Sequence, residues 1–241
     1  MIISNDKKLI VLLNPKTGTQ ALKSALDGLG PFDVIDGQHE TLGMLETKPE
    51  LKAISLVAPL RDYQVFAFYR DPVERFISAA NHMRRGLPGV IRNLFYDRLK
   101  DVHLYAGTMI TSAEQYQAIA QEYRDKLESI SYLDILDVYQ FLKKNFRLTT
   151  SDHKRMLAFF PQTTWLQSDQ AQIQLCDFRN YSNEVNRIAA ALGSGPVDSP
   201  TVNQSVKLPG DQDLNPDTRA KIMAEYQQDY DFFASKNITF T

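Results

Sequence analysis

Lys8-Leu9-Ile10-Val11-Leu12-Leu13-Asn14-Pro15-Lys16-Thr17-Gly18-Thr19-Gln20-Ala21-Leu22 decides how this chain is read. A continuous apolar run breaks into a Lys-Thr-Gly-Thr turn and then resumes with helical spacing, which predicts a strand, a loop and a helix. At such a helix start the free backbone N–H groups and the positive end of the macrodipole face the loop, and Lys16 adds a full charge. The expected occupant is a phosphate-like anion. Gly18 lets the backbone approach it with no Cβ in the way, while Thr17 and Thr19 can donate hydroxyl hydrogen bonds or cap the helix. The Walker A order places lysine after the last glycine of the loop, whereas Lys16 precedes the only glycine of this turn.

A second junction of the same kind follows. Val65-Phe66-Ala67-Phe68-Tyr69 is a short apolar strand candidate that runs directly into Arg70-Asp71-Pro72-Val73-Glu74-Arg75-Phe76-Ile77-Ser78-Ala79-Ala80. Pro72 suits the first turn of a helix, Glu74 lies near its positive end, and Phe76, Ile77 and Ala80 give it an apolar face. A planar guanidinium at the strand end, Arg70, matches phosphate oxygens bidentately. Arg75 reads as a salt-bridging helix residue near Asp71 and Glu74.

Pro15-Lys16-Thr17-Gly18-Thr19-Gln20 resembles the 5′-phosphosulfate loop of the sulfotransferases, commonly Pro-Lys-Ser/Thr-Gly-Thr-Thr. Gln20 stands where a hydroxyl residue is common, and can donate through its amide or its backbone N–H. The second junction resembles the family's 3′-phosphate motif, Arg-Asp-Pro-x-x-Arg-Phe/Leu-x-Ser, in which the arginine and the serine both reach that phosphate; here they are Arg70 and Ser78. The likeness is to the carbohydrate sulfotransferases, and it extends more loosely to Phe160–Leu166 and Tyr226–Phe233. It implies transfer of a sulfuryl group from 3′-phosphoadenosine 5′-phosphosulfate (PAPS) to an acceptor hydroxyl or amine, most simply of a carbohydrate. The product nucleotide is 3′-phosphoadenosine 5′-phosphate (PAP), and the scheme needs no metal. Lys16 would stabilise the leaving 5′-phosphate.

The acceptor's proton requires a base, and imidazole titrates near neutrality. His39, between the two motifs in an interval that carries the catalytic His or Glu of several carbohydrate sulfotransferases, is preferred; Glu40 is the second choice or orients it. His153 and His82 follow. By resemblance to an Asn-x-Ser segment of the family, Asn203-Gln204-Ser205-Val206-Lys207 would close over the nucleotide or acceptor, with Asn203 and Lys207 as contacts. Arg84, Arg85, Arg92, Arg98 and Lys100 form either a surface for an anionic acceptor or a solvated face paired with Asp97 and Asp101.

Strand candidates at Leu9–Leu13, Phe32–Ile35, Val65–Tyr69 and Ile173–Cys176, separated by helices, predict an α/β fold with a central parallel sheet flanked by helices. With the family likeness this becomes a P-loop-like three-layer sandwich. Ligands on such sheets bind beyond the carboxyl ends of the strands, where both motifs fall. Helical stripes are expected at Tyr116–Leu127, Tyr132–Phe146, Val185–Leu192 ended by Gly193, and from Asn215-Pro216 towards Phe233, with a long loop from Gly193 to Gly210.

A chain of 241 residues, 43% hydrophobic, suffices for one folded domain over 1–241 and leaves no case for disorder. The net charge of −2 argues against bulk nucleic-acid binding. Cys176 is the only cysteine, so no intrachain disulfide forms, and a half-buried strand cysteine is expected. No apolar stretch approaches the ~18 residues of a membrane span, and no leader precedes the first strand, so a cytoplasmic, soluble bacterial relative is expected rather than a chain trimmed of an anchor. A P-loop-type nucleotide kinase and a non-catalytic nucleotide-binding protein are the competing functions.

Overall fold

The computed structural model describes residues 1–30, 32–34, 40–47, 56–91, 103–105, 108–109, 131–145, 156–198 and 214–240. The apolar run of the first motif forms β2 (Leu9–Leu12), and the run before Arg70 forms β4 (Gln64–Tyr69) parallel to it, with Leu12 opposite Ala67. β7 (Ile173–Asp177) lies parallel on the far side of β4, Tyr69 opposite Asp177. The expected parallel core is present, but the sheet as a whole is mixed. β1 (Ile2–Ser4) pairs antiparallel with β2, and β3 (Asp33–Val34) antiparallel with β1, giving the order β3-β1-β2-β4-β7. The cause of this correction is the Asn5–Lys8 turn. Lys8 takes a left-handed φ of 46° and its N–H bonds the Asn5 carbonyl at 3.2 Å, folding Ile2–Ser4 back on β2.

Alternation along the strands builds two apolar clusters. Ile3, Ile10, Leu12, Val65, Ala67 and Tyr69 join Leu42 and Leu45 of α2 (Leu42–Thr47), Leu166 of α5 (Thr163–Leu166) and Phe233 of α8 (Gln227–Ser235). The alternate residues Leu9, Val11, Leu13, Phe66, Phe68 and Cys176 join Leu22, Ala25 and Leu26 of α1 (Thr19–Leu26) and Val185 and Ile188 of α6 (Tyr181–Ala191). Each fully buried aliphatic or Phe side chain contributes about 1.5–3 kcal/mol, so Leu9–Leu12 of β2 and Val65, Phe66 and Phe68 of β4, all buried, anchor the sheet. α6 ends as predicted: Gly193 has φ 83°, and Ser194 N–H bonds the Ala189 carbonyl at 2.9 Å.

The sequence predicts a single domain; the chain divides into two compact units, one of Met1–Arg75, Phe160–Gln204 and Tyr226–Thr241, the other of Phe76–Phe159 and Ser205–Glu225. The first holds the five-stranded sheet. In the second, α4 (Tyr132–Asn145) begins at a capping box, Asp134 N–H donating to Ser131 Oγ at 3.1 Å and Ser131 N–H to Asp134 Oδ2 at 3.1 Å. Phe159 packs edge-on to Phe76 and stacks with Tyr139, with ring centroids 5.6 Å apart in each pair. The second unit also contains the β5 (His103–Tyr105) and β6 (Thr108–Met109) pair. α3 (Pro72–Ile91) leads the chain from the first unit into the second.

The helix expected from Asn215 to Phe233 is two helices, α7 (Pro216–Glu225) and α8, with Tyr226 between them. Asn215 Oδ1 accepts from Thr218 N–H at 2.9 Å and caps α7 as the Asn-Pro signal implies. Asp229 on α8 is fully buried, and its two carboxyl oxygens accept the backbone N–H groups of Gln162 at 2.8 Å and Thr163 at 3.0 Å, capping α5 from another helix. Among the described residues no helix is long and apolar enough to cross a membrane. The Tyr116–Leu127 stripe and residues 199–210 of the long loop lie outside the described residues. Asp229→Ala strands two buried N–H groups, so unfolding in urea should show a loss of about 3 kcal/mol, and the melting temperature should fall by roughly 6–12 °C.

Candidate functional site

β2, β4 and β7 all run out at one edge of the sheet, and the chain leaving each contributes to one locality. Where the β2 ladder stops, Asn14 donates its side-chain amide to the Phe68 carbonyl at 2.8 Å and so fixes the loop to β4. Thr17, expected to donate outward or to cap the helix, is buried, and its hydroxyl donates to the Asn14 carbonyl at 2.9 Å. Asn14 Oδ1 lies 3.2 Å from the same hydroxyl. Lys16 takes a left-handed φ of 65°, a conformation costing roughly 1–2 kcal/mol in a residue with a Cβ, and the Asn14 and Thr17 bonds on either side hold it there. Pro15 is buried, Lys16, Gly18 and Thr19 are half-buried, and Gln20 is exposed.

Gly18 is the N-cap of α1, with φ 79° and no side-chain cap. The first bond across the helix start is from Leu22 N–H to the Gly18 carbonyl at 2.9 Å, so the N–H groups of Thr19, Gln20 and Ala21 point beyond the helix end. The same carbonyl accepts the Tyr181 hydroxyl at 3.0 Å. A Cβ at Gly18 would lie 2.8 Å from Tyr181 Cε2 and 3.1 Å from Phe178 Cε2. Glycine is thus demanded both by its φ and by the aromatic pair at the end of β7, a constraint absent from the loop sequence itself.

Arg70 arrives at the same aromatic pair from β4. Its guanidinium lies 4.9 Å from the Phe178 ring centroid, and its Nε donates to Glu74 at 3.2 Å. Among the described residues its two terminal nitrogens have no protein partner. Asp71 Oδ1 accepts Glu74 N–H at 3.0 Å and caps α3. Arg75, expected as a salt-bridging helix residue near Asp71 and Glu74, is buried, donates to the Phe160 carbonyl and lies 5.9 Å from the Tyr226 ring centroid. The partner of Glu74 is Arg70. Gln162 was missed, though it brackets the Arg70 backbone with an accepted bond of 3.0 Å and a donated bond of 2.7 Å.

Charge at the β7 end is arranged around Asp177. Burial opposes its ionisation, but the side-chain and backbone N–H groups of Arg179 outweigh burial and hold the carboxyl below its ordinary range. Arg179 Nε lies 3.1 Å from both carboxyl oxygens and a terminal nitrogen 2.8 Å from one of them. Burial, reinforced by Asp177, pushes the Tyr69 hydroxyl up to about 12, and burial raises Tyr181 as well. Cys176, expected half-buried, is fully buried, and burial lifts its thiol to about 12 against the bond from Arg187 at 3.2 Å. That removes it from any nucleophilic role.

Of the other candidates, Glu40 is half-buried ahead of α2, Ser78 is buried on α3 and His82 is exposed on α3. His39, His153, Asn203, Lys207, Arg92, Asp97, Arg98, Lys100 and Asp101 lie outside the described residues.

Gly18→Ala is expected to cost about 2–4 kcal/mol, from the left-handed φ and the clash with Tyr181 together; an unchanged urea midpoint would show that the aromatic pair yields freely. Alkali gives a second check. The ordinary values are 9.0 for a thiol and 10.0 for a tyrosine, whereas folded Cys176 and Tyr69 hold their protons to about 12. The unfolded chain therefore binds fewer protons in that window, and stability falls as pH rises from about 9 towards 12. Denaturation midpoints across that range test this, and Cys176 should react with a disulfide reagent only on unfolding. No family model, curated protein or solved structure matches this chain.

Proposed function

We propose that the chain is a PAPS-dependent sulfotransferase acting on a hydroxyl acceptor, most simply a carbohydrate. The observation that carries the proposal is the pairing of two anion-ready junctions on one aromatic floor. The Lys16–Gly18 turn and the Arg70 guanidinium both abut the Phe178–Tyr181 segment at the carboxyl ends of parallel strands. Left-handed residues ahead of a helix start are the components of anion-binding concavities, and the terminal nitrogens of Arg70 suit phosphate oxygens. The two clusters on the sheet, one with α1 and α6 and the other with α2, α5 and α8, support reading the fold as a P-loop-like three-layer sandwich.

The donor supplies an activated sulfuryl group. In the proposed reaction an acceptor oxygen forms a bond to sulfur as the bond from sulfur to the 5′-phosphate oxygen breaks, in line. Lys16 and the N–H groups of Thr19 and Gln20 would meet the charge that grows on the departing phosphate, and so bind the transition state more strongly than the ground state. Arg70, with Ser78, would take the 3′-phosphate. His39, or Glu40 beside it, would accept the acceptor's proton. Asn203 and Lys207 would close over the bound nucleotide. The acceptor is proposed as a free glycan or small molecule and the location as cytoplasmic.

A nucleotide kinase would share the sheet type but calls for lysine after the last loop glycine, the reverse of Lys16 and Gly18. PAP is expected to raise the melting temperature by several degrees while ADP and ATP do little; equal shifts from ATP would favour the kinase. Lys16→Ala should cut transfer of labelled sulfate by roughly 10²–10³-fold or more. PAP binding without any transfer to a broad acceptor panel would point to a non-catalytic nucleotide-binding protein. His39→Ala with turnover intact would remove His39 as the base.

A further inference from the structure

We infer that Gln162 is a positioning residue for Arg70, and that through it the protein sets its preference for nucleotides bearing a 3′-phosphate; this rests on the function proposed above. Arg70 occupies a gap in regular structure. The β4 ladder ends at Tyr69 and α3 begins at Pro72, so neither the ladder nor the helix fixes the Arg70 peptide groups. Gln162 supplies what is missing. Its Oε1 accepts Arg70 N–H at 3.0 Å and its Nε2 donates to the Arg70 carbonyl at 2.7 Å, the donor and acceptor pair that a neighbouring strand would offer. A side-chain amide carries both groups side by side in one plane.

Gln162 is itself immobilised. It is fully buried, and its backbone N–H donates at 2.8 Å to Asp229, also fully buried. A relay of hydrogen bonds thus runs from Asp229 through Gln162 to the peptide groups of Arg70. Farther out, Glu74 at 3.2 Å and the Phe178 ring at 4.9 Å orient the guanidinium, whose terminal nitrogens have no partner among the described residues. A bidentate guanidinium–phosphate contact is sensitive to the placement of both N–H groups. Displacing the Arg70 backbone therefore weakens that contact while leaving the loop around Lys16, which is tied to Phe68, undisturbed.

The test compares the calorimetric affinities of PAP and adenosine 5′-phosphate, which differ only in the 3′-phosphate. Gln162→Met keeps the length of the side chain, removes both bonds to Arg70 and leaves the backbone bond to Asp229. It is expected to reduce the preference for PAP by about tenfold or more while adenosine 5′-phosphate binding changes by less than about twofold. Gln162→Asn, which keeps the amide but falls one methylene short, should act in the same direction and serves if the Met variant does not fold. In an Arg70→Ala background Gln162→Met should have no further effect on the preference. Equal weakening of both nucleotides, or an unchanged preference, would overturn the positioning role and leave the sulfotransferase proposal standing. A wild-type protein with no preference for PAP would overturn both.

Discussion

The hydrogen bond from the Asn14 side chain to the Phe68 carbonyl, 2.8 Å long and buried, is the contact on which the candidate site depends. Parallel pairing holds β2 to β4 only as far as Leu12 and Ala67. Without a side chain to continue the ladder, the loop after β2 would leave the sheet with nothing to aim it. Asn14 continues the ladder and also receives Thr17, whose hydroxyl folds back onto the Asn14 carbonyl. Lys16 is trapped between these anchors in a left-handed conformation that costs roughly 1–2 kcal/mol, a cost each buried bond offsets by about 1 kcal/mol.

The corner after β7 performs the complementary task for both junctions. Phe178 and Tyr181 meet edge-on with centroids 5.6 Å apart, and Tyr181 packs on Phe68 of β4 at 4.9 Å. One side of this pair excludes any side chain at position 18, and the face of Phe178 carries the Arg70 guanidinium. Rigid rings are well suited to this, since each has few rotatable bonds to freeze. Asp177 and Arg179, two positions apart in the chain, pair with one another, and the positive groups beside the Gly18 turn are Arg70, Lys16 and the N–H groups of α1.

What the sequence conveyed follows from what is local. The strands of the parallel core were legible because their apolar runs end in turn residues, the end of α6 and the start of α7 because their caps lie beside them in the sequence, Gly193 after Leu192 and Asn215 before Pro216, and α4 because its apolar residues recur with helical spacing. β1 was not legible, since three residues ahead of Asn5 carry no periodicity, and its pairing with β2 turned an expected parallel sheet into a mixed one. Long-range partners were equally hidden. Asp229 meets Gln162 across 67 positions and Gln162 meets Arg70 across 92, and nothing near any of the three marks them as a set. Arg75 misled for the same reason. Its nearness to Asp71 and Glu74 suggested a local ion pair, but Phe160 and Tyr226, which it meets in the core, are distant in the chain. The strand-to-helix junction at Lys16–Gly18 was legible; the aromatic floor that requires Gly18 was not.

The two junctions differ in how firmly they are held, and the difference bears on the group transfer proposed for them. The Lys16 loop is fixed by buried bonds at Asn14 and Phe68 and a part-buried one from Tyr181, so its N–H groups need not reorganise when charge appears on a leaving group, the condition under which fixed dipoles stabilise a transition state best. Arg70 has a fixed backbone but an exchangeable head. Its side-chain ion pair among the described residues is to Glu74, whose side chain is 55% exposed, and an exposed pair of this kind is worth only about 0–1 kcal/mol. A phosphate can therefore displace or share that carboxylate at little cost, whereas nothing can displace Gln162 without opening the core. Rigid electrostatics where a bond would break, and a preset but replaceable contact where a ligand would be recognised, is the division expected if binding energy at the remote phosphate serves to hold the reacting group in place.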